Sequence, residues 1–507
     1  MRDEGSSEGF IRSDVAVLLF IGLLTACVHI LSNGQYGWHR DELGVLDNAR
    51  ELWWGYVEYP PVTPALARLA LEVFGESLRG VRLVAVLAQS AAVVVTGLIA
   101  RELGGSRPVQ VVAALAVATA SASVFMSGMM MYVSVEYLWW VLAAYFIVRR
   151  LRTGDERRWL AVGAVIGLGV MTKYTAALLA GGVGLGVLLT PLRRDLRSKW
   201  LWAGAALSLL VFAPNLYWQV SHDFISIDFL KDIHARDVRI GRTNSFLVGQ
   251  LYITTNPFTL PVWLAGLAYF FLGDQGKRYR ILGWMYVVPF VAYVLLQGRD
   301  YYLAPAYPAL LAGGAVAWER WLAGRSRALR RTAAVYVTAA LIAWGIAAAA
   351  LLMPLAPVNS PVWMASAGMH DLFREQIGWA ELVETVAGVY DSLPPEERST
   401  AGILAGNYGE AGAIGLYGPD RGLPRPISGI NSYWLRGPGD VPANTAVVVG
   451  FQRDSLEHLF ERCELMAPVS NPYDVPNEES EAYEGVFLCR GLLTPWPELW
   501  PTFRWFG

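Results

Sequence analysis

Residues 36–42 read Tyr36-Gly37-Trp38-His39-Arg40-Asp41-Glu42, directly after an apolar run from Val15 to Leu31. That run is long for a signal-peptide core and no small-residue cleavage site follows it, so it reads as a retained first span. The polar loop at its mouth continues through Asp47-Asn48-Ala49-Arg50, Trp53-Trp54-Gly55-Tyr56 and Glu58-Tyr59-Pro60-Pro61. From Glu42 to Trp54 the apolar positions recur at helical spacing, which predicts a short amphipathic helix along the membrane interface. An Asp-Glu pair at a helix start caps it and complements its dipole. His39, Arg40 and the aromatics beside this pair give it a second reading, as chemistry at the outer mouth of a span.

Outward from this loop, apolar stretches recur at about 81–100, 109–126, 132–148, 160–171, 176–190, 201–218, 246–272, 281–296, 303–322 and 333–353. A spanning helix needs about 20 residues, and the count is about eleven spans. The pair at 160–190 is short and reads as two tilted half-spans or a re-entrant hairpin. Composition agrees: 54% of the 507 residues are hydrophobic and 17% are charged, against about 25% charged in soluble domains. So apolar a chain is not disordered. Its 41 basic residues are cancelled by 43 acidic ones, which argues against a nucleic-acid partner. Three cysteines exclude a disulfide-dense scaffold. Tryptophan and tyrosine, 20 and 23 residues, suit membrane interfaces and sugar sites.

With the N-terminus (1–14) inside, alternate short loops carry Arg101 and Arg107; Arg149, Arg150 and Arg152; Arg193, Arg194 and Arg197; Lys277 and Arg278; and Arg325 to Arg331. This is the positive-inside pattern. It places the protein in the plasma membrane as a multi-pass chain, with 15–353 as the membrane domain, 32–80 as its first outer loop, and 354–507 outside. In the last segment the long apolar runs stop. Helical periodicity around Trp379–Tyr390 and β-type runs at Gly402–Leu404, Ala446–Phe451 and Val486–Cys489 predict a small α/β extracytoplasmic domain. Cys463 and Cys489 both fall in it, as one bridge or as two buried thiols. Cys27 reads as packing in the first span.

A transporter places charges near mid-membrane. Here the charges gather in the outer loops and at the outer ends of spans. Lys173, one of four lysines, lies between two short apolar runs beside Tyr174. It either pairs with a carboxylate or phosphate or snorkels to the interface. Arg299, Tyr301 and Tyr302 read as a phosphate clamp or as an aromatic belt. The segment Ser221–Arg242 reads as a solvated loop or as a lid whose Arg236, Arg239 or Arg242 reaches a phosphate. No HExxH or paired CxxC signature is present, and the glycines of Asn407-Tyr408-Gly409-Glu410-Ala411-Gly412 read as tight turns.

Asp41-Glu42, Gly55-Tyr56 and Pro60-Pro61-Val62-Thr63-Pro64 resemble the first periplasmic loop of bacterial family-39-type glycosyltransferases. These are relatives of protein O-mannosyltransferases and aminoarabinose transferases, with the GT-C fold. Further matches follow in order: Glu136 to Trp140, Thr172-Lys173-Tyr174, Pro214-Asn215 with Trp218-Gln219 and His222, Asn256-Pro257, Tyr301-Tyr302, and Asn407 to Ala411.

The resemblance implies an α-helical polytopic GT-C enzyme. It would transfer a sugar from a polyprenyl-phosphate donor to a protein hydroxyl, cell-envelope glycan or lipid, with membrane lipids as further partners. Asp41 is then the expected base, with Glu42 a sugar-orienting or cap residue. Glu136 stands at a second acidic position that is usually Asp. His39, Arg40, Tyr59, Lys173, Tyr174, His222, Arg242, Arg299, Tyr301 and Tyr302 are the expected substrate contacts. Tyr59 replaces the Lys of a Lys-Pro-Pro motif, so another cation must meet the phosphate. No cofactor or metal is expected. A transporter or flippase with an outer domain, or an inactive scaffold, is the competing reading. Convergence of Asp41, Glu136, Lys173 and Arg299 on one cavity separates the two.

Overall fold

The computed structural model describes residues 4–439 and 444–507. Arg2 and the side chain of Arg12, on which the placement of 1–14 leans, lie outside the described residues. The membrane part runs α1 (Glu4–Ser32), α2 (Arg40–Arg50), α3 (Val62–Phe74), α4 (Leu78–Glu102), α5 (Arg107–Ala118), α6 (Ser121–Met126), α7 (Tyr132–Thr153) and α8 (Arg158–Val170). It continues with α9 (Ala177–Leu189), α10 (Lys199–Ser221), α11 (Ile225–Arg239), α12 (Phe246–Tyr252), α13 (Leu260–Phe271), α14 (Arg280–Leu295), α15 (Tyr307–Ala323) and α16 (Arg327–Leu352). Each of the eleven apolar stretches falls on helix, two of them with a break.

By length and composition alone, fewer spans stand out than the eleven expected. Among the described residues, only α1 (from Ser13), α4, α10 and α16 are long and apolar enough to cross a bilayer. Tyr174–Leu189 with Pro191–Arg197 would add a fifth, bent by 99°. At 1.5 Å per residue, the 13 residues of α8 reach about 20 Å, short of a hydrocarbon core of about 30 Å. The segments between the breaks are held by packing instead. Glycine permits close approach: a Cβ on Gly163 (α8) would sit 1.9 Å from the Gly204 carbonyl of α10, and one on Gly266 (α13) 2.0 Å from the Leu310 carbonyl of α15. Outward faces are apolar, with Leu209 and Leu210 of α10 and Val335 and Ile346 of α16 each more than 65% exposed. Such a surface suits lipid rather than water. Cys27 also faces outward and is free, so it does not serve packing.

The remainder runs α17 (Pro361–Ala367), α18 (Trp379–Asp391), α19 (Pro395–Arg398), β1 (Gly402–Ala405), α20 (Tyr408–Tyr417), β2 (Thr445–Val449), β3 (Phe460–Ala467) and β4 (Val486–Leu492). Among the described residues the strands form one sheet, ordered β1-β2-β4-β3. β1 and β2 pair parallel, and the other pairs are antiparallel. The helix and three strands lie where periodicity and β-type runs predict them. β3 does not announce itself, because it is a polar edge strand with one buried residue, Phe460. Cys463 pairs in register with Cys489 across β3 and β4, and the two form a disulfide.

The segment 36–61 is built into this part. Leu43, Leu46, Tyr56 and Tyr59 share one core with Leu382, Val386, Ile403, Ile414, Val447 and Leu488. α2 is therefore not an interfacial helix; Glu42 through Ala49 are all buried. It lies on a glycine stripe of α20. A Cβ on Gly412 would stand 2.7 Å from the Leu43 carbonyl carbon, one on Gly409 3.0 Å from Cβ of Arg40, and one on Gly415 2.9 Å from Asp47. These glycines serve helix packing, not turns.

Candidate active site

α2 begins with a reciprocal cap. The His39 ring nitrogen Nδ1 accepts from the Asp41 N–H (3.2 Å), and Glu42 accepts from the His39 N–H (3.0 Å). Glu42 then takes Arg82 on both oxygens, at 2.6 Å to Nη2 and 3.0 Å to Nε, and the Met130 N–H at 2.9 Å. Glu42 and Arg82 are wholly buried. Every acceptor site of Glu42 is engaged away from the cavity, so the expectation that it orients a sugar gives way to the cap reading.

Asp41 points the other way, into a cavity of about 740 Å3. Its Oδ1 accepts from the Tyr408 hydroxyl at 2.7 Å. Burial works to raise the Asp41 carboxyl, but His39, the Tyr408 hydrogen bond, Arg40 and Arg299 outweigh it and hold it below the usual aspartate range. Burial also pushes the His39 ring below its ordinary value. A neutral ring accepting from the Asp41 N–H adds no cation at 3.8 Å, so the lasting stabilisation comes from Tyr408 and the arginines.

Facing Asp41 is a cationic wall. Lys173, at the break between α8 and α9, lies 3.8 Å from the Tyr302 ring centre and 5.1 Å from that of Tyr132. Its Nζ is 3.6 Å from Glu136 Oε2 and has no hydrogen-bond partner among the described residues. Arg299 donates to Asp237 at 2.6 Å and to the Tyr301 hydroxyl at 3.3 Å. Arg236 and Arg242 approach the same buried Asp237 at 3.7 and 3.9 Å. Among the described residues three guanidiniums thus share one carboxylate, leaving that wall positive. α11 supplies Phe229, Leu230 and Ile233 beside them, so Ser221–Arg242 is a helix over the cavity rather than a loose loop.

The cavity gathers Asp41, His39, Arg40, Tyr59, Lys173, Tyr174, Arg242, Arg299, Tyr301 and Tyr302. Glu136 stands behind Lys173, held by Thr175 (2.9 Å) and Trp140 (3.3 Å). His222 is not brought in; it stacks on Trp218 at 4.1 Å and bonds the Trp218 carbonyl. Sequence reading missed Tyr408, Glu375 and Glu478 as cavity residues. Arg40 pairs with Glu478 and lies 3.6 Å from Glu375. The signal for Tyr408 was present: Asn407 and Glu410 are three apart, as a capping box requires, and they open α20.

Residues 58–218 match the family model of dolichyl-phosphate-mannose-protein mannosyltransferase. The fold matches that of ArnT from Cupriavidus metallidurans bound to undecaprenyl phosphate, with a TM-score of 0.56, 16% identity, and 95% and 98% of the two chains covered. The chain has the GT-C fold. A second GT-C match, with a TM-score of 0.50 and 14% identity, is the Archaeoglobus fulgidus oligosaccharyltransferase tethered with an acceptor peptide, over 78% of this chain and 62% of that one. Among curated proteins, the lipid A galacturonosyltransferase RgtD of Rhizobium johnstonii is 25% identical over 278 residues, 52% of this chain. The chain spans 56% of that relative's length. The family match includes Tyr59, Glu136, Lys173 and Tyr174 but begins after Asp41, so Asp41 rests on geometry.

Proposed function

We propose that this GT-C protein transfers a sugar from a polyprenyl-phosphate donor to an acceptor hydroxyl at the outer membrane face. One observation carries the reading: a charged carboxylate, Asp41, shares a cavity with a buried ammonium, Lys173, that stands 3.6 Å from Glu136 and has no hydrogen-bond acceptor among the described residues. The acceptor oxygen attacks the anomeric carbon and gives its proton to Asp41. The bond from that carbon to the phosphate oxygen breaks, and the phosphate leaves with the electron pair. Lys173 and Arg299 neutralise it as its charge grows, so no metal is invoked. Phe229, Leu230 and Ile233 of α11 would receive the start of the lipid tail.

The ArnT match, with its undecaprenyl phosphate, supports a polyprenyl carrier, and the basic loops support the outer placement of the cavity. The test is Asp41→Asn in membranes supplied with a labelled polyprenyl-phosphate sugar. Transfer should fall by about 100-fold or more, whereas unchanged transfer removes Asp41 as the base.

A further inference from the structure

At the other end of α4, 25 residues and about 37 Å from the first outer loop at 1.5 Å per residue, lies a second cavity of about 720 Å3. It is lined from four helices: Asp14 on α1, Arg101 and Glu102 on α4, Arg107 and Gln110 on α5, and Arg149 and Arg152 on α7. The transfer reaction uses none of them.

The charges here do not balance. Arg107 is matched by Asp14 at 2.6 Å. Glu102, which is 5% exposed, is met at 2.8 Å by Arg152, at 3.3 Å by Arg149 and at 3.5 Å by Arg101. Three guanidiniums share the Glu102 carboxylate, and Glu319 at the rim accepts from the Ser106 N–H at 3.1 Å, so among the described residues four arginines meet three carboxylates here. Gln110 is 2% exposed. Its amide nitrogen donates to Asp14 (3.2 Å) and to the Gly105 carbonyl (3.1 Å), while its amide oxygen has no donor among the described residues. The site thus offers cations for an oxyanion and a buried acceptor for a hydroxyl.

Its depth narrows the ligand. Glu102 is the last residue of one candidate span and Asp14 the second residue of another. The cavity therefore lies where spans end, at the height of lipid headgroups.

We infer that this cavity binds the headgroup of an anionic, hydroxyl-bearing phospholipid in the leaflet opposite the active site. Guanidiniums hold the phosphate through paired N–H donors, and Gln110 accepts from the headgroup glycerol. The inference needs only the membrane placement of the chain, not the transfer reaction.

The test is native mass spectrometry of the full chain in a neutral detergent, titrated with phosphatidylglycerol or phosphatidylcholine. Phosphatidylglycerol should be retained preferentially, and the Arg149→Gln/Arg152→Gln double variant should weaken its binding by about tenfold. Arg193→Gln/Arg194→Gln removes two exposed charges outside the cavity and should leave the preference intact. Should the double variant not fold, Arg152→Gln alone, at a half-exposed side chain, should still lower the preference. The inference is overturned if the cavity variants keep it, if the control loses it equally, or if millimolar inorganic phosphate abolishes retention.

Discussion

Asp41 keeps its charge in the cavity partly because Tyr408, from 367 residues away, donates a hydrogen bond to it. Tyr408→Phe removes that donor and leaves the ring. The Asp41 carboxyl then takes up a proton more readily, and the acid limb of the transfer rate against pH moves upward. A hydrogen bond to a charged group is worth about 1.5–3 kcal/mol, so transfer on the acid side should drop by about tenfold while the alkaline rate changes little. An unmoved limb in proteoliposome kinetics would show that Tyr408 only packs. Asp41 stood out in sequence by its charged and aromatic neighbours at the mouth of a span, and Lys173 as a lone cation between apolar runs; the structure places both, with Arg299, in one cavity. Glu42 misled because its partner Arg82 sits inside an otherwise apolar helix, 40 residues on, and no local pattern joins them.

The seating of α2 on α20 turns on small side chains. Gly412 meets the Leu43 backbone so closely that any Cβ must displace one of the two helices. Gly→Ala in a free helix interior stabilises by roughly 1 kcal/mol. At this contact the sign should reverse, because overpacking costs about 1–3 kcal/mol. Gly412→Ala should lower the thermal midpoint of the purified protein. It should also lower transfer, since α2 carries Asp41. A raised midpoint would refute the packing role. The stripe Gly409, Gly412 and Gly415 was visible in sequence, but its meaning was not: spacing alone does not say whether a glycine serves a turn or a neighbour. α18 and strands β1, β2 and β4 were legible because their patterns reflect one-sided or complete burial. The polar edge strand β3 has none to read.

Across the whole molecule, carboxylates crowd where the segment around Arg40 meets the C-terminal part. Burial, only partly offset by Arg40, pushes the Glu375 carboxyl up to about 8. Burial and then Glu479 likewise raise Glu410. A carboxyl whose value is raised on folding binds a proton in the folded state that the unfolded chain has released. Stability from these groups therefore falls as pH climbs from about 4.5, the ordinary glutamate value, to about 8. The thermal midpoint should decline between pH 6 and pH 8.5, and Glu375→Gln should lessen that decline. An equal decline in the variant would assign the effect elsewhere. The helical frame of 15–353 was readable from apolar stretches, since the bilayer imposes its thickness on composition. The breaks within the stretches were not, because helix–helix contacts decide them.

The sharing of one core by residues 38–81 and 379–488 also sets an order of events during synthesis. Asp41 emerges among the first tenth of the chain, yet the hydroxyl that steadies it arrives only after Tyr408 has been made. Until then the nascent chain holds Lys173 and Arg299 but not a steadied Asp41 carboxylate, so a ribosome stalled before that point would leave the cavity unfinished.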